Sequence, residues 1–108
     1  MTTTNGYLTT HVLDTALGLP ASGMHIDLFH LDGDRRIFIR SLVTNDDGRT
    51  DSPILPSEEF KQGVYELVFK AGDYLQENAP AQDTPLFLSD IPIRFGMNDL
   101  DAHYHVPL

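Results

Sequence analysis

The sequence predicts an all-β fold, a sandwich of short strands with a single short helix, and three observations carry that prediction. Several short runs alternate apolar and polar side chains, the period of a half-buried strand. Turn formers stand between most of these runs: Gly18 with Pro20, Asp32-Gly33 and Asp47-Gly48. Only the segment AGDYLQENAP carries helix punctuation, and it is barely two turns long.

Taken in order, LTTHVLDTALGLPA opens as a strand with Leu8, Thr10 and Val12 on one face and Thr9, His11 and Leu13 on the other, until Gly18 and Pro20 turn the chain. In MHIDLFHLD, Met24, Ile26 and Leu28 oppose His25, Asp27 and Phe29; RIFIRSLVT follows across Asp32-Gly33 as the second arm of an antiparallel hairpin. GVYELVFK turns Tyr65, Leu67 and Phe69 inward and leaves Glu66 and Lys70 to water. A helix over about 73–79 comes next, with Asp73 as its N-cap and Pro80 beyond its end; it is too short to stand unless packed on a sheet. NAPAQDTP reads as loop. FLSDIPIRF points Ile91, Ile93 and Phe95 inward, and Pro92 marks an edge position or a bulge. HYHVPL ends the sequence with Tyr104, Val106 and Leu108 on one face and His103, His105 and Pro107 on the other. The expected core is Tyr65, Leu67, Phe69, Ile91, Ile93, Tyr104 and Val106.

A length of 108 residues suits one domain, whose folding removes roughly two-thirds of the unfolded chain's surface from water. With no cysteine, disulfides and thiolate metal sites are excluded. A net charge of −9, with seven scattered basic residues, disfavours a nucleic-acid partner. No apolar run reaches bilayer-spanning length, and MTTTNGYLTT lacks both parts of a secretory signal, so a cytoplasmic placement is expected, with no membrane partner.

Chemistry concentrates on faces that the alternation turns away from the core. His11 alone is a weak sign, because a lone strand histidine is more often structural or merely exposed. Arg49 alone reads as a solvated loop arginine, although the Asp47-Gly48 turn would hold it on a short, rigid connection. His103 and His105 are side by side on an extended chain. Imidazoles with a guanidinium can supply a general base and stabilise an oxyanion. Three imidazoles can instead ligate a divalent metal. The residues alone leave both open. His25 and His30 fall on opposite faces of one strand and read as structural or exposed.

The motifs LTTHVLDTALGLPA, DDGRTD, DIPIRF and HYHVPL, in that order from Leu8 to Leu108, resemble the 5-hydroxyisourate hydrolases, transthyretin-like enzymes of urate breakdown. The resemblance implies a transthyretin-like sandwich of two antiparallel sheets with one short helix. It implies His11, Arg49 and His105 as catalytic residues, with His103 joining them in substrate binding, facing a channel at the dimer–dimer interface of a homotetramer. No cofactor and no metal are called for. The implied reaction opens the ring of 5-hydroxyisourate at a cyclic amide C–N bond to give 2-oxo-4-hydroxy-4-carboxy-5-ureidoimidazoline. A transthyretin-like carrier of a small ligand ranks second, disfavoured by a polar channel. A zinc site on His11, His103 and His105 is a further alternative. Family members continue past HVPL into a last strand, so the expectation is a single domain over 1–108 that lacks that strand, a shortened form with an open strand flank, and a flexible N-terminus over 1–7.

Overall fold

In the computed structural model, the described residues are 6–14, 18–56, 59–78 (of 75–78 the backbone only) and 90–108. The alternation of MHIDLFHLD produces β4 (His25–Asp32), which folds back on β5 (Arg35–Val43) through Gly33 at φ 61°. Every positive φ among the described residues belongs to glycine, so the turn carries its left-handed residue first, as in a II′ hairpin. On its other side β4 pairs antiparallel with β6 (Gly63–Phe69), Leu28 opposite Leu67, and β6 pairs antiparallel with β7 (Ile91–Met97), Leu67 opposite Ile93. The order β5-β4-β6-β7 puts Pro92 on an edge strand, one of the two places its missing N–H allows.

A second layer covers the inner face of this sheet. It is built from β1 (Tyr7–His11), β8 (His103–Pro107) and the irregular stretch around Ile54 and Leu55, and Leu8 bridges antiparallel to Leu55. Ile26, Leu28, Leu67 and Phe69 from the first layer and Leu8, Val12, Ile54 and Leu55 from the second form one buried cluster. Two very short strands, β2 (Leu13–Asp14) and β3 (Leu19–Pro20), pair beyond β1. The fold is thus the transthyretin-like sandwich, with one short helix among the described residues. One pairing departs from the expected antiparallel arrangement: β1 and β8 run parallel, from Tyr7 opposite His103 to His11 opposite Pro107. Alternation reports which face a side chain takes and is silent on the direction of the neighbouring strand.

The helix α1 (Ala71–Asn78) begins earlier than 73, so Asp73 lies in the first turn instead of at the cap, where its charge still suits the positive helix end. Ala79 and Pro80, with the rest of 79–89, lie outside the described residues. Ala71 and Tyr74 bury the helix against the sandwich. The Tyr74 hydroxyl donates to Asp14 Oδ2 at 2.7 Å, and burial followed by this bond pushes the phenol up to about 12.

Glu66, expected to face water, is buried; its carboxylate accepts from Arg36 Nη1 at 3.0 Å and Arg94 Nη2 at 3.3 Å. β6 is an interior strand, and Arg36 lies across the Phe29 ring, 4.0 Å from its centroid, which covers the second face. Tyr65, Leu67 and Phe69 are core as expected, whereas Ile91, Ile93, Tyr104 and Val106 only pack half-buried against it. Ile91 and Ile93 sit on the sheet edge, and Tyr104 and Val106 on a two-stranded pair, so neighbours on one flank are missing among the described residues. Of the N-terminus expected to be flexible, residues 1–5 lie outside the described residues, but Gly6 and Tyr7 are tied down: their amides donate to Leu100 O at 2.7 Å and Ala102 O at 3.3 Å. No helix among the described residues is long and apolar enough to cross a membrane.

Candidate active site

The parallel register of β1 and β8 assembles the site. Leu8, Thr10 and Val12 turn inward, so Tyr7, Thr9 and His11 share the outward face, and on β8 His103 and His105 join them. Thr9 lies opposite His105 and Tyr7 opposite His103. The Tyr7 and His103 rings stack at 4.1 Å with their planes 16° apart, which holds the imidazole plane. The Thr9 hydroxyl stands between the two histidines, 2.6 Å from His103 Nε2 and 2.8 Å from His105 Nδ1. Backbone bonds continue the pairing past its His11 end, Leu108 N–H to His11 O at 3.0 Å and Leu13 N–H to Leu108 O at 3.2 Å. The next residue, Thr10, turns its hydroxyl inward onto Val106 O.

Arg49 is brought to this face by a loop closed on itself. Asn45 N–H donates to Arg49 O at 2.7 Å, and Gly48 N–H to Asn45 O at 2.9 Å. The Asn45 side-chain oxygen accepts from the amides of Asp47 at 2.9 Å and Arg49 at 3.2 Å. The loop is docked to the end of β1, where Val12 N–H donates to Gly48 O at 2.8 Å. Glycine is required at 48: φ is 75°, and a Cβ there would come within 2.2 Å of Val12 O. Arg49 therefore stands beside the strand that carries His11 as a consequence of backbone packing.

A cavity of about 220 Å³ opens here, with Thr9, Arg49, Asp51, Ser52 and His103 in its lining. His11 and His105 are not part of that lining; they continue the same outward face further along their strands. The pKa of His105 is lowered from the ordinary histidine value, first by partial desolvation of the ring and then by the positive neighbours Arg49, His103 and His11. The four residues singled out in the sequence are thus one electrostatic cluster. A larger cavity of about 470 Å³ has His30, Ile37, Glu59, Lys61 and Tyr65 in its lining. Two of its polar groups are already engaged: Glu59 pairs with Arg40, and the Tyr65 hydroxyl donates to Lys61 O at 3.0 Å. The smaller cavity is the one beside the cluster of Arg49 with His11, His103 and His105. His25 is exposed, and His30 packs on Tyr65 with ring centroids 5.0 Å apart, so neither joins the cluster.

Among the described residues no group of three histidines or carboxylates is disposed to hold a metal ion. Reading by residue type missed Tyr7 and Thr9; the available signal was their position four and two residues before His11 on one strand face.

The fold and the cluster together define a class: a transthyretin-like sandwich whose outward face beside β1 and β8 is polar and titratable, suited to hydrolysis. The sequence model of the HIUase/Transthyretin family matches residues 8–108, and this chain belongs to that family. It is 55% identical over 104 residues to 5-hydroxyisourate hydrolase 2 of Rhizobium meliloti, covering 96% of this chain and 87% of that protein. The solved structure of Klebsiella pneumoniae 5-hydroxyisourate hydrolase superposes with a TM-score of 0.71 at 28% identity, over 94% of this chain and 85% of that one. Transthyretin from Sparus aurata superposes with a TM-score of 0.81 at 22% identity, over 93% and 84%, a likeness of fold. With relatives of this identity named as hydrolases, the chain is an enzyme of the family.

Proposed function

We propose that this chain hydrolyses 5-hydroxyisourate, opening its six-membered ring at a cyclic amide C–N bond to give 2-oxo-4-hydroxy-4-carboxy-5-ureidoimidazoline. The observation that carries the reading is the gathering of His11, Arg49, His103 and His105 on one face, with His105 biased toward its neutral form. A neutral imidazole takes a proton from water as the water oxygen attacks the ring carbonyl. The C–N bond then breaks, and the proton passes to the departing nitrogen. Arg49 binds the planar substrate and offsets charge on the attacked oxygen, a task its forked donors suit. His105 is the base, His11 positions the water, and His103, beside Arg49 in the cavity, contacts the substrate. Base assistance of this kind is worth on the order of 10²- to 10⁴-fold.

The proposal includes a homotetramer in the cytoplasm with sites at the dimer–dimer interface. Leu13 and Leu19, 51% and 59% exposed on the short β2–β3 pair just past His11, support an apolar contact next to the site. A carrier of an aromatic ligand is the weaker reading, because such a ligand is held by an apolar channel and this face is charged. Decay of freshly generated 5-hydroxyisourate, followed by rapid-mixing absorbance, tests the reading. Acceleration well above the spontaneous rate is expected, and decay at the spontaneous rate would refute it.

A further inference from the structure

We propose that Thr9 is a positioning residue that selects the tautomer of His105, accepting a hydrogen bond from Nδ1–H so that Nε2 keeps the lone pair a base requires. The inference rests on the hydrolytic reading above for its catalytic meaning, and on hydrogen-bond counting for its geometry. A hydroxyl has one hydrogen to donate and two lone pairs. Thr9 Oγ1 faces His103 Nε2 at 2.6 Å and His105 Nδ1 at 2.8 Å, so two bare nitrogens cannot both be satisfied by it. At least one ring must present N–H.

Counting allows two orders, and the one that leaves His105 Nε2 bare for a base has the Thr9 O–H pointing to His103 Nε2. That uses the only hydroxyl hydrogen. The 2.8 Å contact then requires His105 Nδ1 to donate to Thr9. The chain runs His105 Nδ1–H to Thr9 Oγ1–H to His103 Nε2. Each bond polarises the next, and the Tyr7 ring stacked on His103 holds the terminal acceptor in plane. The neutral ring of His105 carries one proton, so Nε2 is unprotonated; the reverse order would cap Nε2 with hydrogen and remove the base. In the neighbouring position, Thr10 Oγ1 donates to Val106 O, a bond with no bearing on either ring.

The full chain labelled with ¹⁵N-histidine tests this by two-bond ¹⁵N–¹H correlation spectra, alongside turnover of 5-hydroxyisourate. The wild type is expected to show His105 protonated at Nδ1. In Thr9→Val, which keeps the side-chain shape, that preference is lost and kcat falls on the order of tenfold or more, with KM little changed. Thr9→Ser restores both. A wild-type His105 protonated at Nε2 overturns the proposal without any variant. So does a Thr9→Val protein with unchanged tautomer and kcat while the wild type turns substrate over. A wild type that leaves the substrate at its spontaneous rate overturns the hydrolytic reading instead, whichever tautomer the spectra show.

Discussion

β6 and the β1–β8 pair use the same two-residue alternation to opposite ends. In β6 the inward residues Tyr65, Leu67 and Phe69 are buried, and so are Glu66 and Val68 on the other face. In β1 the inward Leu8 and Thr10 are buried, while Tyr7, Thr9 and His11 stay half-buried and His103 and His105 on β8 are exposed. The difference lies in what crosses the outer face. β6 is flanked on both sides by strands, and Arg36 and Arg94 reach over it to Glu66. Over β1 and β8 the neighbours are Arg49 and the cavity. A carboxylate paired with two guanidiniums serves structure. Imidazoles on a half-solvated face next to a cation can gain and lose protons, which is what chemistry needs.

Breaking the site side of this comparison should have the largest effect. His105→Ala or Arg49→Ala is expected to lower turnover of 5-hydroxyisourate by roughly 10²- to 10⁴-fold with an unchanged circular dichroism spectrum. Near-wild-type turnover in either variant would remove that residue from the mechanism. On the structural side, Leu67→Ala should cost about 2–5 kcal/mol in chemical denaturation, because its side chain is 0% exposed. Ile93, opposite it but half-buried at the sheet edge, should cost about 1–2 kcal/mol when truncated to alanine. Equal losses at the two positions would mean that the edge is covered.

The titration of His105 sharpens the contrast further. Because partial desolvation and then Arg49 lower its pKa, NMR titration should give a midpoint below the ordinary 6.5. Removing a positive neighbour favours imidazolium, so Arg49→Gln should raise the midpoint, though the partial desolvation keeps it from rising fully. In the wild type, activity that depends on neutral His105 should persist below 6.5 and fail as pH drops through its lowered value. A midpoint unmoved by Arg49→Gln would show the two groups to be uncoupled. Glu66→Ala should have the smallest effect, under about 1 kcal/mol: Arg36 and Arg94 are 53% and 67% exposed and return to water when the carboxylate goes. A loss of several kcal/mol would mean that the ion pairs, not the covering side chains, hold the outer face of β6.

Local order along the chain settled a good part of this protein. Alternation identified the inward faces at Leu8, Ile26, Leu28, Leu67 and Phe69, because a period of two is a property of the extended backbone itself. Asp47-Gly48 announced the turn that carries Arg49, and Pro92 announced an edge or a bulge, because both act on the backbone of their own neighbourhood. The motif order was enough to single out His11, Arg49, His103 and His105. What no local pattern could supply was the second face of each strand and the partner across it. Glu66 reads as solvent-facing until Arg36 and Arg94 arrive from other strands, and Tyr104 and Val106 read as core until their flank is seen to lack neighbours among the described residues. The parallel register that sets Thr9 against His105 joins residues 96 apart in sequence, and only the tertiary fold decides it. The face a side chain takes is fixed by the geometry of a few bonds, but its burial and its hydrogen-bond partner depend on which distant segments pack there.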